Sequence, residues 1–162
     1  IRDCLGSVCR SAGVPVSIEP NDLSERTQER PADLLVKNWK DGKDLWIDIC
    51  VVNHLCRTHV KGSSKTVDYA ISKAEKRKED NYRELVTEGD AMFLPFIFDV
   101  NGRLNEAGEK FLARLACMGA SRNGDSQKRL LHDFRLQLSF KVLSLVGSQI
   151  VNAMNFRSCE SE

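Results

Sequence analysis

Apolar residues along the chain change their spacing several times, and each change marks an element. Ile1, Leu5, Val8, Cys9 and Ala12 recur at helical intervals, and Gly13 followed by Pro15 stops the pattern. Val14, Val16 and Ile18 then alternate with polar residues as in a short strand running to Glu19, and residues 20–29 are polar enough to form a loop. Two apolar stretches, 32–36 and 45–52, flank a polar segment centred on Asp41-Gly42, a dipeptide that favours a two-residue hairpin turn. A polar connection over 53–65 leads into a helical pattern over about 66–87, closed by Gly89. Met92 to Val100 is a dense apolar run ending at Asn101-Gly102, as expected of a buried strand. Helical spacing returns over 106–118, a loop follows at 120–126, and residues 127–154 form the last segment. There Phe134, Leu136, Leu138, Phe140 and Val142 alternate, while Leu131, Phe134, Leu138, Val142 and Leu145 step by three or four. The length of this segment without a turn signal favours the helix.

The order helix, strand, hairpin, helix, strand, helix, helix predicts an α/β fold, with a central mixed β-sheet of about four strands flanked by helices. Residues 1–120 would form the core and 121–162 a C-terminal helical extension packed on it. A chain of 162 residues with 41% apolar and 29% charged content suffices for one sizeable core. Six cysteines without a CxxC pair or a secretory leader point to reduced thiols and an intracellular setting. No run is apolar enough to span a bilayer, and the start at Ile1 suggests a piece of a longer chain. The net charge of +1 excludes a globally basic nucleic-acid binder, so any such argument is local. The dense basic stretch is Lys73, Lys76, Arg77 and Lys78, interleaved with Glu75, Glu79 and Asp80, and most of it suits a solvated helix face. Gly6, Gly13 and Gly42 form no phosphate-cradling motif, which argues against a nucleotide cofactor. No serine sits in a G-x-S-x-G context. His54, Cys56 and His59 lack a second ligand pair at zinc spacing and are assigned to a loop.

The hairpin carries the chemistry. With Asp41-Gly42 as its turn, Lys40 faces Lys43, Leu35 faces Asp48 and Cys50 faces Asp33. Asp33 and Asp48 then project from one face as diagonal neighbours. Apolar residues surround both, and an ionised carboxylate in such a place costs several kcal/mol unless a cation, a metal or hydrogen bonds compensate it. Two carboxylates on one face can clasp one cation. On the long helix Ile71, Ala74, Lys78, Tyr82 and Leu85 share a stripe, so Lys78 interrupts an apolar face and points inward, with Tyr82 one turn later. Glu19, at the end of the first strand, offers a third carboxylate.

Arg30-Pro31-Ala32-Asp33, fourteen intervening residues, Asp48, and then Lys78 and Tyr82 on the following helix make a pattern. It resembles the restriction-like endonuclease domain of non-LTR retrotransposons, a branch of the PD-(D/E)XK nuclease superfamily. The similarity runs from about Arg2 to Leu115 and includes the Met92 to Phe96 strand and Gly102. The resemblance implies a restriction-endonuclease-like αβββαβ core and a Mg²⁺-dependent (or Mn²⁺-dependent) DNA endonuclease that nicks duplex DNA to start reverse transcription. Asp33 and Asp48 would bind the metal. Lys78 would align or polarise the attacking water, with Tyr82 and Glu19 as further candidate catalytic residues. Arg30, Lys76 and Arg77 would touch backbone phosphates. Double-stranded DNA, a reverse transcriptase domain in the same longer chain and a nuclear location complete the expectation. The chain departs from the pattern in three places: Ala32 is inserted after Pro31, Cys50 occupies the usual lysine slot of the second motif, and Asn81 replaces a frequent basic residue. The alternative is a catalytically inactive retroelement-derived nucleic-acid-binding or interaction domain. A third reading, a structural domain docking through the 134–154 helix, requires that helix to leave an apolar stripe exposed.

Overall fold

The computed structural model describes residues 1–19, 32–88 and 90–159. The chain forms α1 (Arg2–Ser11), β1 (Val16–Ile18), β2 (Leu34–Lys40), β3 (Lys43–Val52), α2 (Val60–Ser63), α3 (Tyr69–Glu88), β4 (Met92–Asp99), α4 (Glu106–Asn123) and α5 (Gln127–Cys159). The four strands make one mixed sheet in the order β1-β2-β3-β4, antiparallel except for the β3–β4 pair, which is parallel. The fold is therefore α/β as the pattern predicts. A parallel pair needs a crossover, and α2 with α3 supplies it.

Side chains alternate across β3, and each face meets a different layer. Leu45, Ile47, Ile49 and Val51 share a face with Leu34 and Val36, packing with α1, α4 and α5 in the main core, which includes Leu5, Phe111 and Phe134. The opposite face lies under α3 and holds two smaller apolar clusters. One gathers Leu35 and Trp46 with Ala32 and Ala91; the other gathers Val52 and Ile97 with Ala70, Ile71 and Ala74 of α3. Asp48 falls between them in sequence on β3. Coverage on both faces explains why β3 is nearly continuously apolar.

The hairpin register differs from the expectation. Lys40 does face Lys43, but Leu34, Leu35 and Val36 pair with Ile47, Trp46 and Leu45, so Leu35 does not oppose Asp48 and Cys50 pairs instead with Ile97 of β4. A bulge places two extra residues in β2 between Val36 and Lys40. Asn38 adopts a left-handed φ of 54° there, and its N–H donates to the Asp44 carboxylate at 2.8 Å. The two-residue slip preserves side-chain faces because the strand period is two. Other differences lie at boundaries. The connection after β3 contains the short α2, and the loop expected from residue 120 is the end of α4, which closes on Gly124 with φ 71°. Gly89, expected to close the long helix, lies outside the described residues.

β4 is an edge strand, and residues 103–105 cover its outer side. Asp99 N–H donates to the Arg103 carbonyl, and Asn105 N–H donates to the Ile97 carbonyl at 2.9 Å. The Asn105 side chain is buried yet does not cap α4. Its Oδ1 accepts from Ile97 N–H at 3.1 Å, and its Nδ2 donates to the Pro95 carbonyl at 2.9 Å and to Glu75 of α3 at 2.6 Å. One amide thus ties β4, α3 and α4 together. Asn105→Ala leaves several buried partners unsatisfied and is expected to lower unfolding stability by about 2–3 kcal/mol. The check is the urea midpoint at unchanged slope; an unmoved midpoint would show that this side chain holds nothing.

Candidate functional site

The hairpin brings Asp33 near enough to Asp48 for its charge to act on that carboxyl. Asp33 N–H donates to the Ile47 carbonyl at 3.0 Å, one residue off the register in which Leu34 pairs with Ile47, so Asp33 lies just outside the β2–β3 ladder. The Asp33 carboxylate accepts from Ile49 N–H at 2.7 Å, so a backbone donor fixes its direction. Asp48 is 8% exposed, with Pro95 beside it on β4. Its Oδ2 is shielded from water and pairs with the Lys78 ammonium.

Helix α3 delivers the cation as its periodicity predicts. Ala70, Ile71 and Ala74 are buried against the sheet, and Lys78 and Tyr82, one and two turns after Ala74, are half-buried. The Tyr82 ring stacks on Phe93 of β4 at a centroid distance of 4.6 Å, and the Lys78 ammonium lies 5.9 Å from the Tyr82 ring centroid. The Phe93 partner escaped the sequence reading because strand and helix meet only in the fold.

The electrostatics follow from burial and crowding. Burial pushes the Asp48 carboxyl above its ordinary value, Lys78 pulls it down, and the Asp33 charge raises it further. Burial works against the Lys78 charge, but Asp48 outweighs it and holds the ammonium above its ordinary value. Burial also raises the Tyr82 phenol, with the Asp48 charge adding to it. Cys50, two residues from Asp48 on the same face, has its thiol raised by burial and feels Lys78, Asp48, Arg77 and Asp33. Arg77 therefore stands close enough to act on the site electrostatically, while its guanidinium and the Lys76 ammonium remain on exposed residues.

Other expected residues make contacts of their own or lie outside the described residues. Glu19 follows β1 with a left-handed φ of 45°, and the Arg2 guanidinium of α1 engages its carboxylate. That contact draws Glu19 toward α1, although its N–H donates to the Asp33 carbonyl at 2.9 Å. Arg30 and Pro31 lie outside the described residues. Cys56 meets the Thr58 hydroxyl at 3.1 Å, and His59 contacts the Asn53 carbonyl at 3.2 Å. Among the described residues, no three His, Cys, Asp or Glu side chains gather as a metal-ligand group, and no helix is long and apolar enough to cross a membrane.

Comparison of the chain with known protein families, with curated proteins and with solved structures found no match.

The pair at the centre of the site has a measurable consequence. Removing the ammonium alone leaves a buried carboxylate uncompensated, so Lys78→Met is expected to destabilise the fold by about 3 kcal/mol. Lys78→Met combined with Asp48→Leu removes both charges and is expected to recover most of that loss. Chemical denaturation of the three variants tests this; equal losses in the single and double variants would show that the charges are not coupled.

Proposed function

We propose that the chain is a metal-dependent nuclease domain acting on DNA phosphodiesters. The observation that carries this reading is the Lys78–Asp48 ion pair beneath α3 with the Asp33 carboxylate near enough to act on Asp48. The donor set fits the ion the resemblance implies. Two carboxylates supply hard, anionic oxygens, and Mg²⁺ or Mn²⁺ commonly takes one or two of these and completes its shell with water and substrate phosphate. Asp33 and Asp48 would hold the ion, which when bound would acidify a water and offset charge developing on the phosphodiester.

The remaining residues act on the substrate side. Lys78, whose charge is favoured at this position, keeps its proton and stabilises negative charge on phosphate oxygens. Tyr82, braced by Phe93, restricts where that ammonium can go. Arg77 and Lys76 meet backbone phosphates, and they belong to a wider basic tract. Residues 57–78 contain seven lysines and arginines against two acidic residues, within a chain whose net charge is +1. Arg57, Lys61, Lys65 and Lys73 of that tract are exposed. Tyr69 links its two halves: its ring lies against His59, beside α2, and the Lys73 ammonium sits 5.9 Å from its centroid. Contacts of this kind grip any sequence and respond to salt. A retroelement origin, a reverse transcriptase domain in the same longer chain and a nuclear setting accompany this reading through the resemblance alone.

A second reading has its own observation. Cys50 stands where the resemblance calls for a lysine, and Asp48 holds the one lysine that α3 sends inward. A domain that binds DNA without cutting it is compatible with both facts.

Nicking of supercoiled plasmid separates the two. Cleavage is expected with Mg²⁺, none with EDTA, and a loss of about 100-fold or more in Asp48→Ala and in Lys78→Ala. Absent cleavage by a folded chain that still binds duplex DNA would favour the second reading. Binding itself is expected to weaken with salt, and replacing Lys73 and Arg77 together by alanine should reduce the log–log salt slope by about 2. A slope unchanged by that replacement would remove the tract from the DNA path.

A further inference from the structure

Helix α5 has two apolar stripes, and the core uses one. Phe134, Leu138 and Val142 are 0–3% exposed and belong to the main core. A quarter-turn or more away, Leu136, Phe140, Leu143, Gly147 and Ile150 step by four, three, four and three residues. That is the alternating four-and-three spacing of a coiled-coil seam, sustained over two heptads. Among the described residues nothing covers these side chains: Leu136 is 42% exposed, Phe140 67%, Leu143 48% and Ile150 56%. Gly147, in the middle of the seam, has open space around the position a Cβ would take, which leaves a hole of the kind a facing side chain enters.

We infer that this outer stripe of α5 is a self-association seam that pairs with the same stripe of a second copy of the chain. Charge is the first argument. From Leu136 to Ala153 the sequence carries a single formal charge, Lys141. A stripe so poor in charge meets little like-charge repulsion when it faces itself, and it offers no charge pattern that would select a different partner. Area is the second. At their observed exposures, the seam residues with neighbouring Val151 leave about 540 Å² of apolar surface per chain, taking about 200 Å² for a fully exposed large side chain. Two such patches come to about 1,100 Å², just above the roughly 1,000 Å² that a specific interface needs, and a two-fold pairing uses the same patch on both copies. The patch also continues beyond the seam. Leu145 and Ile150 border a groove of about 540 Å³ whose other wall includes Val51, Leu55 and Val100, and Leu55 is 67% exposed.

Sedimentation equilibrium of the whole chain between about 1 and 100 µM tests the inference. The unaltered chain is expected to be dimeric in the upper part of that range. Phe140→Glu and Leu143→Glu, at exposed positions, are each expected to raise the dissociation constant at least about tenfold with an unchanged circular dichroism spectrum. Lys128→Glu, at an exposed position of the same helix off the seam, is expected to leave it unchanged. A monomer throughout the range overturns the inference, as does a dimer indifferent to both seam substitutions. Should one seam variant unfold, the other decides.

Discussion

Burial of one ion pair on the sheet face beneath α3 sets the terms for much of what surrounds it. Asp48 sits in β3, the strand that both layers of the fold cover, where its neighbours along and across the sheet are largely apolar. An unpaired charge there would be strongly unfavourable, so α3 must lie where Lys78 reaches it. The apolar residues of α3 that precede Lys78 and the Tyr82 ring that follows it keep the helix in that position. Asn105 reinforces the same placement from the far side by holding Glu75 of α3 to the β4 edge. A fold seeking only stability would do as well with two apolar side chains in place of the pair, and that contrast is what makes the site worth a functional reading.

The site is polar in a graded way. Asp33 is anchored by a backbone N–H and is partly open, Asp48 is deeper and answers to Lys78, and Arg77 acts from an exposed position. A substrate phosphate arriving from solvent would meet the exposed cations before the buried pair. The near-neutral global charge does not oppose this, because field and contact act over about a Debye length, and the basic tract over residues 57–78 dominates at that range.

How much of this was legible in the sequence depends on whether a rule is local. Strand alternation picked out Asp33 and Asp48 together, and the two are near enough to act on each other, although the pairing is shifted by two residues from the expected one and the ladder begins only at Leu34. Lys78 came from helical spacing, which needs no knowledge of the partner strand. The bulge itself was hidden, since it rests on Asn38 taking a left-handed conformation and bonding to Asp44 on the neighbouring strand. Asn105 gave no signal, because an asparagine before a helix has the same appearance as a cap, and only the fold reveals that its amide serves β4 and α3 instead. Glu19 was legible as a strand end but not as the partner of Arg2, which lies seventeen residues earlier. The α5 pattern was ambiguous for a physical reason: buried Phe134, Leu138 and Val142 interleave with exposed Leu136 and Phe140, which gives a helix the alternation of a strand.

The edge of β4 has a further consequence for how such molecules can meet. An open strand edge ordinarily invites another chain to add a strand. Here Pro95 has no N–H to offer, its carbonyl is taken by Asn105, and the Ile97 and Asp99 positions are occupied by the 103–105 segment. Through this stretch the backbone has no free hydrogen-bonding rail, so growth of the sheet from one molecule into the next is blocked beside the very strand pair that carries Asp48. At this edge, contact between molecules is left to side chains rather than to the main chain, and that makes it something a few substitutions can tune without touching the sheet.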